Sequence, residues 1–310
     1  MINAAALLIT AAAFSAIPEF RDEPAKYWDF GKLQSAPKFR DCPYPHSEYP
    51  GLRPILVEGF GPNGTTAEFF CYYALPEGEM PSGGFPAVLL VHGGGGTAYP
   101  KWVDIWRRKG FAVLAPDWYN QRPTPGVLGR AELPGGKRND IVANVANMVL
   151  ANSLLRWMPE VNPSNTVFVG LSWGSWYGAM VAAVDGRFNG VVEIYCGDAR
   201  FDRPSSMTNG RFLHAAKIPM WWIVGTNDKN MTPASAQAGF DECPRHWGHA
   251  IVPELPHSHI GFEFESVARM AWHFACRKTP LPRLGAISEK DGVVSAPVVC
   301  RGATTGDAVL

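Results

Sequence analysis

Residues 166–184 read TVFVGLSWGSWYGAMVAAV. The first four, Thr166–Val169, are apolar or β-favouring and predict a short buried strand. Trp173–Val184 is rich in small residues and predicts a helix lying close against a sheet. Between them, Gly170-Leu171-Ser172-Trp173-Gly174 fits the pattern G-x-S-x-G. Small residues flank the serine in that pattern because the strand-to-helix turn is strained and a larger neighbour would clash with it. The turn lifts the serine hydroxyl above the sheet, at the helix N-terminus. The competing reading is an ordinary Gly-rich turn; the strand before and the helix after favour a nucleophile.

The alternation extends in both directions. Ala87–Val91, Phe111–Ala115, Val191–Tyr195, Met220–Val224 and Ala250–Val252 are further buried-strand candidates. Helical spacing is seen in Ile141–Trp157 and Phe262–Arg277. Strands alternating with helices predict an α/β fold with a mostly parallel central sheet and helices on both faces. Before it, Pro54–Gly59 and Thr66–Leu75 alternate in polarity around Gly61-Pro62-Asn63-Gly64 and read as an antiparallel hairpin. This divides the chain into an N-terminal arm over 17–52, a catalytic domain over 53–282 and a C-terminal extension over 283–310, the last read as the start of a β-rich module. Asp117–Arg138, with three prolines and four glycines, is long for a connection and reads as a functional loop.

Composition narrows the class. The 310 residues carry 28 basic and 28 acidic side chains, so no electrostatic footprint of a nucleic-acid binder is present. No apolar run reaches the length of a membrane span. Residues 1–16 form a short apolar segment of signal-peptide length without a basic start, with the bulky Phe14 three positions before a cleavage point at Ala16. Export to the periplasm or medium is the expectation, weighed against a loose N-terminal helix and a cytoplasmic protein. Six scattered cysteines without a C-x-x-C do not make a disulfide framework and read mostly as buried thiols.

A serine hydroxyl needs a base, and the base needs an orienting carboxylate. Asp228 lies just past the strand Met220–Val224, where a parallel sheet presents functional groups. Asp198, after the preceding strand, is its rival. His257 and His259 both follow the last strand; His257 is nearer its end and is preferred as base, which leaves His259 as a substrate contact. His92-Gly93-Gly94-Gly95-Gly96 follows Ala87–Val91, and the backbone N–H groups of Gly94, Gly95 and Trp173 are the candidate donors to an oxyanion. Neither G-x-G-x-x-G nor Gly-Lys-Ser/Thr occurs, which argues against a nucleotide cradle. Trp173 and Trp118 are candidates for the substrate pocket wall. A rival reading gathers Cys243, His246, His249, His257, His259 and Glu263 around zinc, but no helical H-E-x-x-H pattern supports it, and no metal is expected.

Three stretches carry a family resemblance: VLLVHGGGGTAYPKWVDIWRRKGFAVLAPD, GLSWGSWYGAMVAAVDGRFNGVVEIYCGD, and PMWWIVGTNDKN followed by LPHSHIGFE. They resemble the α/β-hydrolase superfamily, and within it the bacterial acetylxylan esterase, dienelactone hydrolase and prolyl-oligopeptidase-like group. The resemblance implies a secreted serine esterase without cofactor, with Ser172, Asp228 and His257 as triad and a small-molecule or carbohydrate ester as substrate. The alternatives carried with it are a prolyl-oligopeptidase-like peptidase, for which 310 residues leave no gating domain, and a non-catalytic carbohydrate-binding relative.

Overall fold

From Phe85 onward the apolar runs of the chain pair with one another, and in the computed structural model they build the centre of one sheet. The structure describes residues 20–42, 48–118, 140–202, 207–276 and 283–299. Residues 1–16, most of the loop 117–138 and the end of the tail therefore lie outside the described residues. Among those described, the main sheet has nine strands: β1 Phe39–Asp41, β2 Leu52–Phe60, β3 Thr66–Ala74, β4 Phe85–Val91, β5 Ala112–Pro116, β6 Val161–Leu171, β7 Val191–Ile194, β8 Met220–Gly225 and β9 His246–Val252. Their spatial order is β1-β2-β3-β5-β4-β6-β7-β8-β9. The strands from β5 across to β9 are parallel, and β1, β2 and β3 extend the sheet antiparallel.

Every residue of β4 is buried, which is why it reads as an unbroken apolar run: both faces of the sheet are covered. Helices α2 (Pro100–Arg108) and α7 (Glu265–Cys276) pack together, Trp272 Nε1 donating to Lys109 O at 2.9 Å. On the other face α3 (Ile141–Trp157) and α4 (Trp173–Val184) are joined where Asn144 Nδ2 donates to the Tyr177 hydroxyl at 3.0 Å and Asn152 Nδ2 to Asp185 at 2.8 Å. The chain order places β5 on one side of β4 and β6 on the other. The connections leaving β4 and β6 therefore emerge side by side at the C-terminal edge, where the winding reverses, and Val91 is in register with Gly170.

Predicted and observed elements differ in several places, and the strand read as Thr166–Val169 runs from Val161 to Leu171. The arm is part of the sheet, because β1 pairs with β2. It also covers the outer side of α3: the buried Trp28 donates from Nε1 to Val142 O at 2.9 Å and packs on Phe212. Ala250–Val252 is only the end of β9, which starts four residues earlier at His246 behind a register shift. Val293–Val299 is broken at Ala296-Pro297, because proline has no N–H for a ladder. Residues 288–290 pair with 293–295 across Asp291-Gly292, both at positive φ (54° and 76°), the geometry of a tight hairpin turn. Cys71, Cys196 and Cys243 are buried, and burial pushes their thiols up, Cys243 to about 12. Among the described residues no helix is long and apolar enough to cross a membrane.

Candidate active site

Ser172 stands between the last residue of β6 and the first of α4 with φ 57° and ψ −114°. A non-glycine residue there is strained by roughly 1–3 kcal/mol and persists only where its surroundings hold it. They do so through the backbone: Ser172 N–H donates to Ile194 O at 2.8 Å, and Trp176 N–H donates to Ser172 O at 3.1 Å. The buried Ser175 hydroxyl adds a staple, lying 2.8 Å from the carbonyls of Gly170 and Ile194 and accepting from Ile194 N–H at 3.0 Å. The two motif glycines are required sterically. A Cβ on Gly170 would strike the Gly174 carbonyl, and one on Gly174 would strike Val91 O.

Three predicted side chains meet at this turn. His257 Nε2 lies 2.7 Å from Ser172 Oγ, and His257 Nδ1 lies 2.7 Å from Asp228 Oδ2. A carboxylate only accepts, so Nδ1 carries the proton and Nε2 accepts from the serine hydroxyl. The other Asp228 oxygen accepts from Asn230 N–H and Met231 N–H, each at 2.8 Å, so the carboxylate cannot swing away. Thr232 caps helix α6 (Pro233–Glu242), accepting from Ser235 N–H. The His257 loop can approach β8 because Gly225 has no Cβ to meet Leu255 O. Tyr195, also at positive φ (60°), sets its ring 4.9 Å from the His257 ring.

The glycine loop after β4 lies next to this trio. Gly93 to Gly96 close a turn in which Gly96 N–H donates to Gly93 O at 3.2 Å. Gly95 sits third in that turn at φ 72°, a conformation that suits glycine. Gly94 is exposed and so close to the elbow that a Cβ on it would come within 2.5 Å of Trp173 Cδ1. Trp173 opens α4, so its N–H is among those the helix itself does not use.

No family model matches the chain, and no curated protein matches it in sequence. Solved structures do. An acetyl xylan esterase from Paenibacillus sp. R4 aligns with a TM-score of 0.59 at 17% identity, over 83% of this chain and 98% of that one. Acetyl xylan esterase 1 from Thermoanaerobacterium sp. JW/SL YS485 aligns at 0.55 and 16%, over 82% and 93%. A putative dienelactone hydrolase from Klebsiella pneumoniae subsp. pneumoniae MGH 78578 aligns at 0.51 and 16%, over 71% and 95%. The chain has the α/β-hydrolase fold.

Within this α/β-hydrolase fold the rival candidates sit elsewhere. Asp198 is fully buried and bound to Arg200, whose Nη2 donates to Oδ2 at 2.7 Å. His259 is exposed beside the trio, with its ring 5.4 Å from Tyr99 and 5.3 Å from Trp102. The rings packed against it remove part of its water, and with the neighbouring His257 and His92 this lowers its pKa. The residues weighed for zinc are dispersed. Cys243 packs on Met220, His246 and His249 contact each other on β9, and His257 faces Ser172. Among the described residues no three His, Cys, Asp or Glu side chains converge as a metal site. Trp118 is buried behind the glycine loop rather than set on an open wall: it stacks on His92 and donates from Nε1 to His92 O at 2.8 Å. Sequence reasoning missed the side chains that brace the site, His92, Asp117, Ser175 and Tyr195. The signal available for the first two was position, each following the last residue of a buried strand.

Proposed function

We propose that the protein is a serine hydrolase of carboxylic esters, acting on short acyl groups such as acetyl esters on carbohydrate. The observation that carries this reading is the unbroken hydrogen-bonded line Ser172–His257–Asp228 on a residue held at positive φ. In the first step Ser172 Oγ attacks the ester carbonyl carbon while its proton passes to His257 Nε2. The carbonyl electron pair moves to oxygen, and that oxyanion lies against backbone N–H groups of the Gly94–Gly95 loop and Trp173. His257 then gives its proton to the departing alkoxide. Water repeats the sequence on the acyl-enzyme and frees the acid. Asp228 keeps the imidazole in the required tautomer and stabilises the imidazolium. Support for an ester comes from the two esterases that align over nearly their whole length, and for a sugar from their description as acetyl xylan esterases. On this reading His259, whose ring packs on Tyr99 and Trp102, contacts the alcohol part of the substrate.

The test is hydrolysis of 4-nitrophenyl acetate and of acetylated xylo-oligosaccharides by the protein and its Ser172→Ala variant, both with chelator present. Turnover that vanishes in the variant supports the reading. Equal turnover in both would place the chemistry elsewhere.

A further inference from the structure

Behind the glycine loop lies a pair of fully buried ionisable side chains with no part in the steps above. His92 and Asp117 face each other with Nε2 3.3 Å from Oδ1, and neither reaches solvent. Burying two such groups is costly unless their surroundings hold and satisfy them. Here the neighbours are the loop itself. His92 Nδ1 lies 2.8 Å from Gly93 O, and since a carbonyl only accepts, Nδ1 carries a proton and donates it. The same carbonyl accepts from Gly96 N–H at 3.2 Å. Two donors therefore fix the plane of the Gly93–Gly94 peptide. In a trans peptide the C=O and the N–H point in opposite directions, so whatever holds Gly93 O also aims Gly94 N–H. Gly94 is the loop residue that lies against the Trp173 indole at the elbow.

Asp117 grips the loop from both sides of the turn. Its Oδ1 faces the His92 ring, and its Oδ2 accepts from Thr97 Oγ at 2.7 Å. It is anchored in turn to the sheet by its own N–H, which donates to Phe70 O at 2.8 Å. Trp118 closes the assembly by stacking on the imidazole, ring planes 11° apart.

We infer that His92 and Asp117 are positioning residues that orient the Gly93–Gly94 peptide, and hence the Gly94 N–H, toward the oxyanion of acyl transfer. This rests on the esterase reading. The role predicts a defect in kcat rather than in ground-state binding, because the oxyanion exists only after Ser172 has attacked.

The experiment compares the parent protein, Ser172→Ala, His92→Gln, Asp117→Asn and the double variant with 4-nitrophenyl acetate. A trifluoromethyl ketone, whose adduct with the serine carries an oxyanion, serves as the second probe. Each single change is expected to lower kcat on the order of 10², with KM within about threefold, and to weaken the ketone by a similar factor. The double variant is expected to lose little more than either single one, since the two residues act as a unit. Thr97→Val, which removes one anchor of Asp117 and leaves the ring, is expected to cost about tenfold in kcat and covers the case of a His92 variant that does not fold. A fall in melting temperature with kcat per folded molecule unchanged in these variants would overturn the inference. So would ketone affinity equal to that of the parent. Absence of turnover in the parent, or its persistence in Ser172→Ala, would instead overturn the esterase reading itself.

Discussion

Asp198 and Asp228 show how a residue's surroundings separate a structural carboxylate from one free to face a histidine. Asp198 is enclosed with the buried Arg200, which also donates to the arm at Phe20 O at 3.2 Å. Asp228 spends one oxygen on the backbone and turns the other to His257. Their asparagine variants should fail differently. Asp228→Asn leaves the fold standing and lowers turnover on the order of 10⁴, because the imidazole adopts the wrong tautomer. Asp198→Asn leaves a buried guanidinium short of its partner and should cost about 3–5 kcal/mol, read as a lower denaturant midpoint. A normal midpoint with lost turnover for Asp198→Asn would move the acid one strand earlier. The same contrast applies to the histidines: alanine at His257 should abolish turnover, and alanine at His259 should change KM for sugar esters more than kcat. Sequence spacing could not choose between them, because residues 253–258 form a loop and the direction of each ring is set by what it packs against.

At the scale of elements, the close seat of α4 on the sheet decides the geometry of the site. Gly178 has no Cβ because one would meet the Phe168 ring and Glu193 Oε1, at 2.7 and 2.6 Å. Glu193 projects from the middle of β7 and is fully buried, and burial raises its pKa well above 4.5. In the unfolded chain the carboxyl ionises near its ordinary value, while in the folded protein it stays protonated to higher pH. The unfolded state therefore binds fewer protons, and this group's contribution lowers stability as pH rises above about 4.5, by up to about 1.4 kcal/mol per pH unit. Glu193→Gln removes that dependence. Its stability relative to the parent should climb as pH rises above about 5 in denaturant titrations, and a difference flat in pH would refute a buried neutral carboxyl.

At the scale of the whole molecule, the arm is a strap around the α3 side of the sheet. Arg21 pairs with Glu242, Asp22 with Arg211, and Trp28 fills the space over α3 and Phe212. Trp28→Ala should cost about 3–5 kcal/mol through the lost volume and hydrogen bond, with kcat per folded molecule unchanged at low temperature. A change in kcat without loss of stability would instead tie the arm to the site.

Much of this molecule could be read along one dimension. The βα alternation, both long helices around Ser172 and the serine turn depend on periods and steric rules that act over a few residues, so Ile141–Trp157 and Trp173–Val184 were legible to their ends. The candidates Ser172, Asp228 and His257 were legible because parallel strands deliver side chains at one edge. What only the tertiary structure decided depends on contacts between distant residues. The register shift that starts β9 at His246 and the seating of Asp198 on Arg200 are of this kind. So is the burial of Trp118 behind the glycine loop rather than on the pocket wall its sequence position suggests. The His92–Asp117 pair belongs there too: 25 residues separate them along the chain, and only the adjacency of β4 and β5 brings them together.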